Sequence, residues 1–599
     1  MQPDCEKLIK ELTLEEKAAL CSGITSWQTT PIKRLGIPSI YLSDGPHGVR
    51  REKQLSGFGN VFAEAYPATC FPPAVTLASS WNRGLARAVG QALAEECLEL
   101  KVEVLLGPGV NIKRSPLCGR NFEYMSEDPF LAGEMAVEYI EGVQSEGVGV
   151  SLKHFAANSQ EFRRMTSSSE IDERALREIY LSAFERAVKR AKPYTVMCSY
   201  NRVNGTYAAE NKRLLKDILR DEWGFDGMVV SDWGAVTDRV EGIRAGMNLQ
   251  MPTANGVTDR EIVKAVKEGK LDEAVLDERV RELIDVIFKC HRNKQAKKGY
   301  KADFEAHRKL ARHAAAEGAV LLKNDGILPL DKSANIAVVG ELAKKLRSQG
   351  SGSSRLSPLK ETSFIDYLDE IGADYVYAKG YDCLTDETDD RLINEAAESV
   401  KGKDAVVFFL GLTDAFESEA FDRKDLFLPR AQLKVLAEVL RYNLNVAVVL
   451  TGGSPSDTSY SDKVRAILNV YLTGEAGGEA VYDLLFGDVN PSGKLAETFP
   501  LKVEDNPMYK FFDNEIAEYR ESVFVGYRYY ETAGKAVAFP FGHGLSYTSF
   551  EYSELQTDGN KLSEGEGLKV AFNVTNTGDR AGAEVVQVYV KDTESTIFV

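Results

Sequence analysis

Through residues 1–290, short apolar runs alternate with stretches whose apolar positions recur at helical spacing. The segment Thr13 to Glu16 (TLEE) has the form of a capping box, in which a hydroxyl accepts from the backbone three residues on and a Glu there reaches back. Leu276, Val280, Leu283, Ile284, Ile287 and Phe288 share one face of a 3.6-residue repeat, which predicts an amphipathic helix. Between such helices the apolar runs end in polar residues: SIYLSD at Asp44, VEVLLGPGVN at Asn111, GVSLKH at His154, TVMCSYN at Asn201, MVVSD at Asp232 and MNLQM before Pro252. Parallel strands alternating with helices, with polar side chains at the carboxyl ends, are what a (β/α)8-type, TIM-like barrel presents on its active face. A doubly wound open sheet gives a similar string; the pattern favours the barrel.

The polar, basic stretch 291–306 reads as a linker. From His307 a helical segment leads into the strands IAVVG, DAVVFFLGL, VAVVLTGG and AILNVYLTG, which predicts an α/β sandwich domain over 307–500. An aromatic connecting segment, 501–548, follows. Residues 549–599 then alternate apolar and polar positions around a turn at Asn576 to Asp579, as in a fibronectin type III-like β-sandwich, here too short to be whole. The expected organisation is therefore an α/β multidomain chain: barrel 1–290, linker, second domain, connector and a truncated sandwich.

Composition narrows the function. A length of 599 residues predicts roughly two to four domains, and 44% hydrophobic with 27% charged residues is globular usage. A formal net charge of -17 argues against nucleic acid or an anionic membrane as partner, since phosphates call for clustered Lys and Arg. The charged N-terminus has no signal-like apolar core and no ~20-residue apolar run follows, so the expected location is cytoplasmic. The eight cysteines form no CxxC pair, and the six histidines show no HxH or HExxH spacing, so reduced thiols and no metal site are expected.

One short stretch raises a chemical question. GMVVSDWGAV carries a buried-type strand straight into Asp232, and an unpaired carboxylate there is costly unless it is held or reactive. Around it, SDGPHGVR, GRNFEYMSEDP, KHFAANSQEFRR, SYNRVNG and VVSDWG occur in the order and wording of the barrel of family 3 glycoside hydrolases. ESEAFDRKDLFLPRAQ in the second domain is similar to that family's ExExxDRxxLxLPxxQ region, and PFGHGLSY to the start of its third domain. The resemblance covers nearly the whole chain and is closest to the three-domain bacterial β-glucosidases.

It implies a retaining, exo-acting β-glucosidase without cofactor, acting on a small β-glucoside or oligosaccharide and possible as a homo-oligomer. Asp232 matches the family's nucleophile. Such a reaction needs two carboxyl groups ~5 Å apart, one ionised and one protonated. Lys153, His154 and Arg120 are expected to hold the Asp232 pKa down. The acid/base matches Glu419, three residues before Asp422, with Glu417 as second choice. Asp44, Arg120, Lys153 and His154 match positions that grip sugar hydroxyls; Arg164, Met197 and Tyr200 match further ones, and Trp233 is a candidate platform beside the sugar. Arg164 also has a plain reading as a partner of Glu161, and Met197 as core.

One departure stands out. Where the family reads AGxDxExP, this chain reads AGMNLQMP, with Asn248 and Gln250 in place of both acids, which puts the network they support in question. Other glycones (xylose, arabinofuranose, galactose, N-acetylglucosamine) fit the same fold, although KHFAANSQE differs from the KHFPGHG form of the hexosaminidase branch. A catalytically silent sugar-binding protein is the alternative outside enzymes.

Overall fold

The computed structural model describes residues 5–53, 64–559 and 567–590. Its helices begin where the sequence supplies caps. Thr13 and Glu16 form the reciprocal capping box of Leu14–Leu20. Asn82 caps Arg83–Leu100, and Asp128, followed by Pro129 in the first turn, caps Pro129–Ser145. These last two helices cross with almost no separation. A Cβ on Gly90 would lie 2.4 Å from the Tyr139 carbonyl oxygen and one on Gly142 would lie 2.2 Å from that of Arg87, so only glycine permits the approach.

The first domain is built on a curled parallel sheet. Leu42–Ser43, Val104–Leu105, Gly149–Phe155, Thr195–Cys198 and Met228–Ser231 are hydrogen-bonded neighbours in that order, all parallel. The eight strands of a regular barrel are not present among the described residues. Beyond Met228–Ser231 the ring continues through single bridges, Val230 to Leu249 and Gln250 to Ser22. It then returns to the first strand through an antiparallel segment, with Gly23 bridged to Thr29 and Gln28 to Tyr41. Of the six apolar runs, five thus form ordered strands of this sheet, and MNLQM contributes only isolated bridges.

The second domain carries a six-stranded sheet. Five strands run parallel in the order Tyr375–Ala378, Ile336–Val339, Ala405–Gly411, Val446–Thr451 and Ala466–Tyr471, and Val320–Asn324 pairs antiparallel at the edge. All four strands expected there are present. The stretch read as a linker is partly helical, since the helix with the Leu276 to Phe288 face runs Glu273–Ala296 and the next begins at Phe304. At the C-terminal end, Phe550–Thr557 and Val570–Asn576 form a two-stranded antiparallel sheet, and no second sheet faces it among the described residues. Residues 560–566 and 591–599 of the expected sandwich segment lie outside the described residues.

The connecting segment does not simply lead outward. Ile516–Glu518 returns to the first domain and adds a parallel strand beside Ser168–Glu170. Ala517, Tyr519, Val523 and Val525 join the first-domain core. Arg114 donates to both oxygens of Glu521, one at 2.9 Å, and its guanidinium lies 3.7 Å from the Tyr519 ring centroid. Lys113 likewise reaches Glu497 at 2.8 Å, with both side chains buried. Among the described residues no helix is long and apolar enough to cross a membrane.

A buried pair broken on one side strands the other charge, at ~3–5 kcal/mol. Glu521→Ala is therefore expected to destabilise the protein by about 3 kcal/mol, read as a lower urea midpoint. A loss under about 1 kcal/mol would mean that Arg114 finds another partner.

Candidate active site

The carboxyl ends of the first-domain strands converge on one polar cluster. Asp232 follows Met228–Ser231 directly and is 7% exposed. Its Oδ1 accepts from Trp233 N at 2.7 Å, while Oδ2 has no hydrogen-bond partner among the described residues and lies 3.8 Å from His154 Nε2. Burial raises the Asp232 pKa above the ordinary aspartate value, outweighing Arg120, Arg164, the Trp233 N–H and Lys153, which pull it down. The expectation that its cationic neighbours would hold it low is corrected: desolvation is the larger effect. His154 contributes no charge to that balance. Burial, then Arg120, Lys153 and Arg164, keep its imidazole well below its normal pKa and hence neutral.

The His154 tautomer follows from its neighbours. Arg120 Nη2 lies 2.9 Å from His154 Nε2 and can only donate, so Nε2 is the acceptor. The proton then sits on Nδ1, 3.3 Å from the Tyr124 hydroxyl. Arg120 is oriented in turn by Glu123, which accepts from its Nε. Lys153 Nζ donates to Asp44 Oδ1 at 3.0 Å and lies 4.0 Å from Glu123 Oε2. Burial works against an ionised Asp44, yet Lys153, the Gly45 N–H at 2.8 Å and Arg50 together hold its pKa below the usual value. Asp44, Lys153, Glu123 and Arg120 alternate in charge and neutral His154 closes the chain beside the nucleophile candidate, a set able to give and accept hydrogen bonds with several hydroxyls.

The second domain contributes Glu419. Its Oε1 accepts from Arg164 Nη1 at 2.8 Å and its Oε2 from Ser353 N at 2.6 Å. Burial opposes its ionisation, but Arg120, Arg164 and the Ser353 N–H outweigh it and hold the carboxyl well below the glutamate range. Gly352, at φ +125°, makes the contact possible, because a Cβ there would sit 2.4 Å from Glu419 Cβ. Arg164 also donates to Glu161 Oε2 at 2.7 Å and lies 4.8 Å from the Tyr200 ring centroid. Both readings of Arg164 therefore apply, since it pairs with Glu161 and reaches the site. Glu417, in contrast, is fully buried within the second domain, accepting from Gly453 N at 2.7 Å and Ser454 Oγ at 2.6 Å.

Tyr200 donates to the Trp233 carbonyl at 3.3 Å. Trp233 is half-buried, its Nε1 donating to the Ser26 carbonyl at 2.8 Å and its ring 5.1 Å from Trp27. Met197 is buried in Thr195–Cys198, in register with Val230. Three residues that reading the sequence did not single out are also part of the cluster: Glu123, Glu161 and Asp422. Asp422 accepts from Gly119 N, Glu161 N and Phe162 N, at 3.1, 2.8 and 2.8 Å, so the second domain clamps two first-domain loops. All three lie inside the long motifs, whose length was the available signal.

Beneath the strand that leads into Asp232, Asn248 satisfies every polar atom of its side chain. Oδ1 accepts from Val229 N at 2.7 Å and Arg220 Nη2 at 2.8 Å, and Nδ2 donates to the Arg279 carbonyl at 2.8 Å and Glu282 Oε2 at 2.7 Å. Glu282 pairs with Arg220 and with Arg279, each at 3.0 Å. The network left in question by the missing acids is therefore intact, with its carboxylate on a neighbouring helix. Gln250 accepts from Thr258 Oγ1 at 2.7 Å.

The chain matches the glycosyl hydrolase family 3 N terminal domain over residues 28–286 and the family's C-terminal domain over residues 319–547. It is 52% identical over its whole length to thermostable beta-glucosidase B of Acetivibrio thermocellus, covering 80% of that protein. It is 48% identical to an exo-alpha-(1->6)-L-arabinopyranosidase of Bifidobacterium longum, over 97% of this chain and 78% of that one. Among solved structures it resembles the family 3 beta-glucosidase of Bifidobacterium adolescentis (TM-score 0.90, 47% identity, 95% of this chain and 82% of that one). It also resembles beta-glucosidase 3B of Thermotoga neapolitana in complex with alpha-D-glucose (TM-score 0.89, 38% identity, 97% and 87% covered). The chain belongs to glycosyl hydrolase family 3 and is a glycosidase.

Asn248→Leu keeps the volume of a fully buried side chain but leaves Val229 N, Arg220 and Glu282 short of partners. Each such loss costs about 1–3 kcal/mol. A drop of at least about 2 kcal/mol in stability, together with reduced kcat, is expected from urea unfolding and rate measurements; parent-like values in both would remove Asn248 from the support of the nucleophile strand.

Proposed function

We propose that this family 3 enzyme is a retaining, exo-acting β-glucosidase that works by double displacement, with Asp232 as nucleophile and Glu419 as acid/base. The observation that carries the reading is that carboxylates from two domains enter one polar cluster: Asp232 Oδ2 lies 3.8 Å from His154 Nε2, which Arg120 holds at 2.9 Å, and Glu419 accepts from Arg164 at 2.8 Å. Asp232 Oδ2, free of hydrogen bonds among the described residues, is the atom fit to attack the anomeric carbon. Glu419 gives its proton to the departing glycosidic oxygen, the glycosyl-aspartate ester forms, and Glu419 then takes a proton from the water that hydrolyses it. Glu417 is unsuited to the role because Gly453 N and Ser454 Oγ hold both its oxygens inside the second domain.

Asp44 with Lys153, and Arg120 with Glu123, offer acceptor and donor pairs for the glycone hydroxyls, and loss of any hydroxyl leaves a buried polar group unpaired. We read the curled first-domain sheet as a modified (β/α)8-type barrel and the hairpin at 550–576 as part of a fibronectin type III-like domain. A second glycone has specific support. The 48% identity to the Bifidobacterium longum arabinopyranosidase is nearly as high as that to the Acetivibrio thermocellus β-glucosidase. α-L-Arabinopyranose is a pyranose without a hydroxymethyl group, so the same nucleophile and acid/base serve it.

Rates on 4-nitrophenyl glycosides decide between them. The β-glucoside is expected to exceed the α-L-arabinopyranoside, β-xyloside, α-L-arabinofuranoside and β-galactoside in kcat/KM; a larger arabinopyranoside value would reverse the glycone and leave the mechanism standing.

Asp232→Ala is expected to lower kcat by at least about 10³-fold without loss of folding. Glu419→Gly is expected to regain activity with azide on an activated aryl glucoside, releasing the β-glucosyl azide; rescue of Glu417→Gly instead would reassign the acid/base. The raised Asp232 pKa adds a sign for pH. The nucleophile must be ionised, so kcat/KM falls as pH drops through that raised value, with an acidic limb above the ordinary aspartate range. A limb at or below the ordinary range would contradict it.

A further inference from the structure

Glu419 is held in the state least suited to giving a proton. Its carboxylate sits on Arg164, and together with Arg120 and the Ser353 N–H that contact favours the ionised form. The same Nη1 of Arg164 donates to Glu161 Oε2, at 2.7 Å against 2.8 Å for Glu419. Glu161 Oε2 also accepts from Ala420 N, next to Glu419 in the chain, at 2.7 Å. Its own backbone N–H is held by Asp422 from the other side of the domain boundary. Glu161 Oε1 is buried with no hydrogen-bond partner among the described residues. One guanidinium thus serves two carboxylates, and one of these carboxylates also grips the loop that carries the other.

We infer that Glu161 is a positioning residue that sets the ionisation of Glu419, by sharing Arg164 with it and by holding its loop through Ala420 N–H. The inference rests on the acid/base role proposed for Glu419. When an aglycone oxygen draws Glu419 off Arg164, Glu161 keeps the guanidinium engaged, and the freed carboxyl in its buried position takes up a proton. Without the second carboxylate, Arg164 is left to Glu419 alone and holds it ionised.

The charges facing Glu161 are consistent with this. Burial pushes its carboxyl up to about 7, Arg164 and Arg120 oppose that, and Glu419 adds to it. Cys118 and Tyr124, both buried, face it from the 117–124 segment, and both have pKa values well above normal, so they carry no charge near neutrality. Two carboxylates on one cation share their protons as a pair, with Glu161 the higher and Glu419 the lower in the resting enzyme. Above pH 7 Glu161 is charged, and its repulsion raises the Glu419 pKa.

The test is the pH dependence of the single-turnover rate of aglycone release at saturating substrate, which reports the ionisation of Glu419 in the enzyme–substrate complex, for the parent, Glu161→Gln and Glu419→Ala. Two β-glucosides are compared, one with 2,4-dinitrophenol as leaving group and one with an aliphatic alcohol. Glutamine keeps an oxygen for Ala420 N–H and removes the charge. The alkaline limb for the alkyl glucoside is expected to move down by about one pH unit, with at least about tenfold loss at pH 8. The dinitrophenyl glucoside, which leaves unaided, is expected to stay within about twofold of the parent. An unmoved limb, or an equal fall on both substrates, would overturn the inference. Arg164→Lys is an independent arm if the glutamine variant does not fold. Both carboxylates meet one Arg164 nitrogen, and the shorter, freely rotating lysine ammonium does not keep a donor fixed at that point, so the limb is expected to move up, and an unmoved limb overturns the inference there too. Glu419→Ala separates the two levels of the argument. Equal losses on both substrates for Glu419→Ala would remove the acid/base reading itself, whereas a loss confined to the alkyl glucoside beside a parent-like Glu161→Gln would remove only the inference.

Discussion

Arg164 is the point at which two domains become one site. It belongs to a first-domain loop, yet Glu419 from the second domain accepts from it at 2.8 Å. A hydrogen bond of this kind fails with a displacement of less than 1 Å, so the relative placement of the domains is itself a component of the site. The surroundings satisfy that demand in layers. Asp422 ties Gly119, Glu161 and Phe162 to the second domain, and Glu161 ties Ala420 to the first. Farther out, Leu117 and Cys118 pack with Leu426, Val503, Met508 and Phe512 in a small apolar cluster that spans first domain, second domain and connector. The connector then runs back along the first domain and is fixed by Arg114 and Glu521. Reciprocal hydrogen bonds set the register, and apolar burial supplies the adhesion.

Burial sets the charges within the cluster in opposite directions. Asp44 and Glu419 are desolvated but over-compensated by cations, so both are held ionised. Asp232 and Glu161 are desolvated and under-compensated, so both are shifted up. Glu161 is raised by burial and by the Glu419 charge although Arg164 donates to it at 2.7 Å; for the two aspartates the difference lies in direct contacts. Asp44 has Lys153 Nζ at 3.0 Å, whereas Asp232 has only a neutral imidazole at 3.8 Å and feels its arginines from farther away. A carboxylate with a free oxygen and no bonded cation is a better nucleophile than one locked in a salt bridge. Neutrality of His154 is part of the same design: as a cation it would compete for Asp232, and as the Nδ1-H tautomer it leaves Nε2 to Arg120.

Much of this was legible in the sequence, and the rest was not for identifiable reasons. The strand ends at Asp44, His154 and Asp232 were readable because a polar residue closing an apolar run is a local signal. The preference for Glu419 over Glu417 rested on the resemblance to the family's motif, while the bonds that hold Glu417 inside the second domain are a matter of three-dimensional contact. Of the six strand candidates, MNLQM forms only single bridges at Leu249 and Gln250, because isolated bridges carry the same alternation of residues as ordered strands do. The direction of the Asp232 shift was missed because a list of neighbouring cations gives no distances, and desolvation has no sequence signature. Glu161 lay within a quoted motif, but its role depends on Ala420 and Arg164 meeting in space, which no spacing along the chain encodes.

The departure at Asn248 and Gln250 shows what the fold requires at that place. The strand under Asp232 needs an acceptor for Val229 N, and the arginines Arg220 and Arg279 need a carboxylate; nothing obliges one residue to supply both. Here Asn248 Oδ1 meets the first need and Glu282, on the helix Glu273–Ala296, meets the second, with Asn248 Nδ2 joining the two at 2.7 Å. An amide suits that link better than an acid, because a carboxylate at 248 would face the Glu282 carboxylate and the Arg279 carbonyl with no proton to offer either. The two substitutions therefore leave Val229 N on the Asp232 strand hydrogen-bonded and place two fewer buried carboxylates beneath it, which lowers the desolvation cost of the supporting layer.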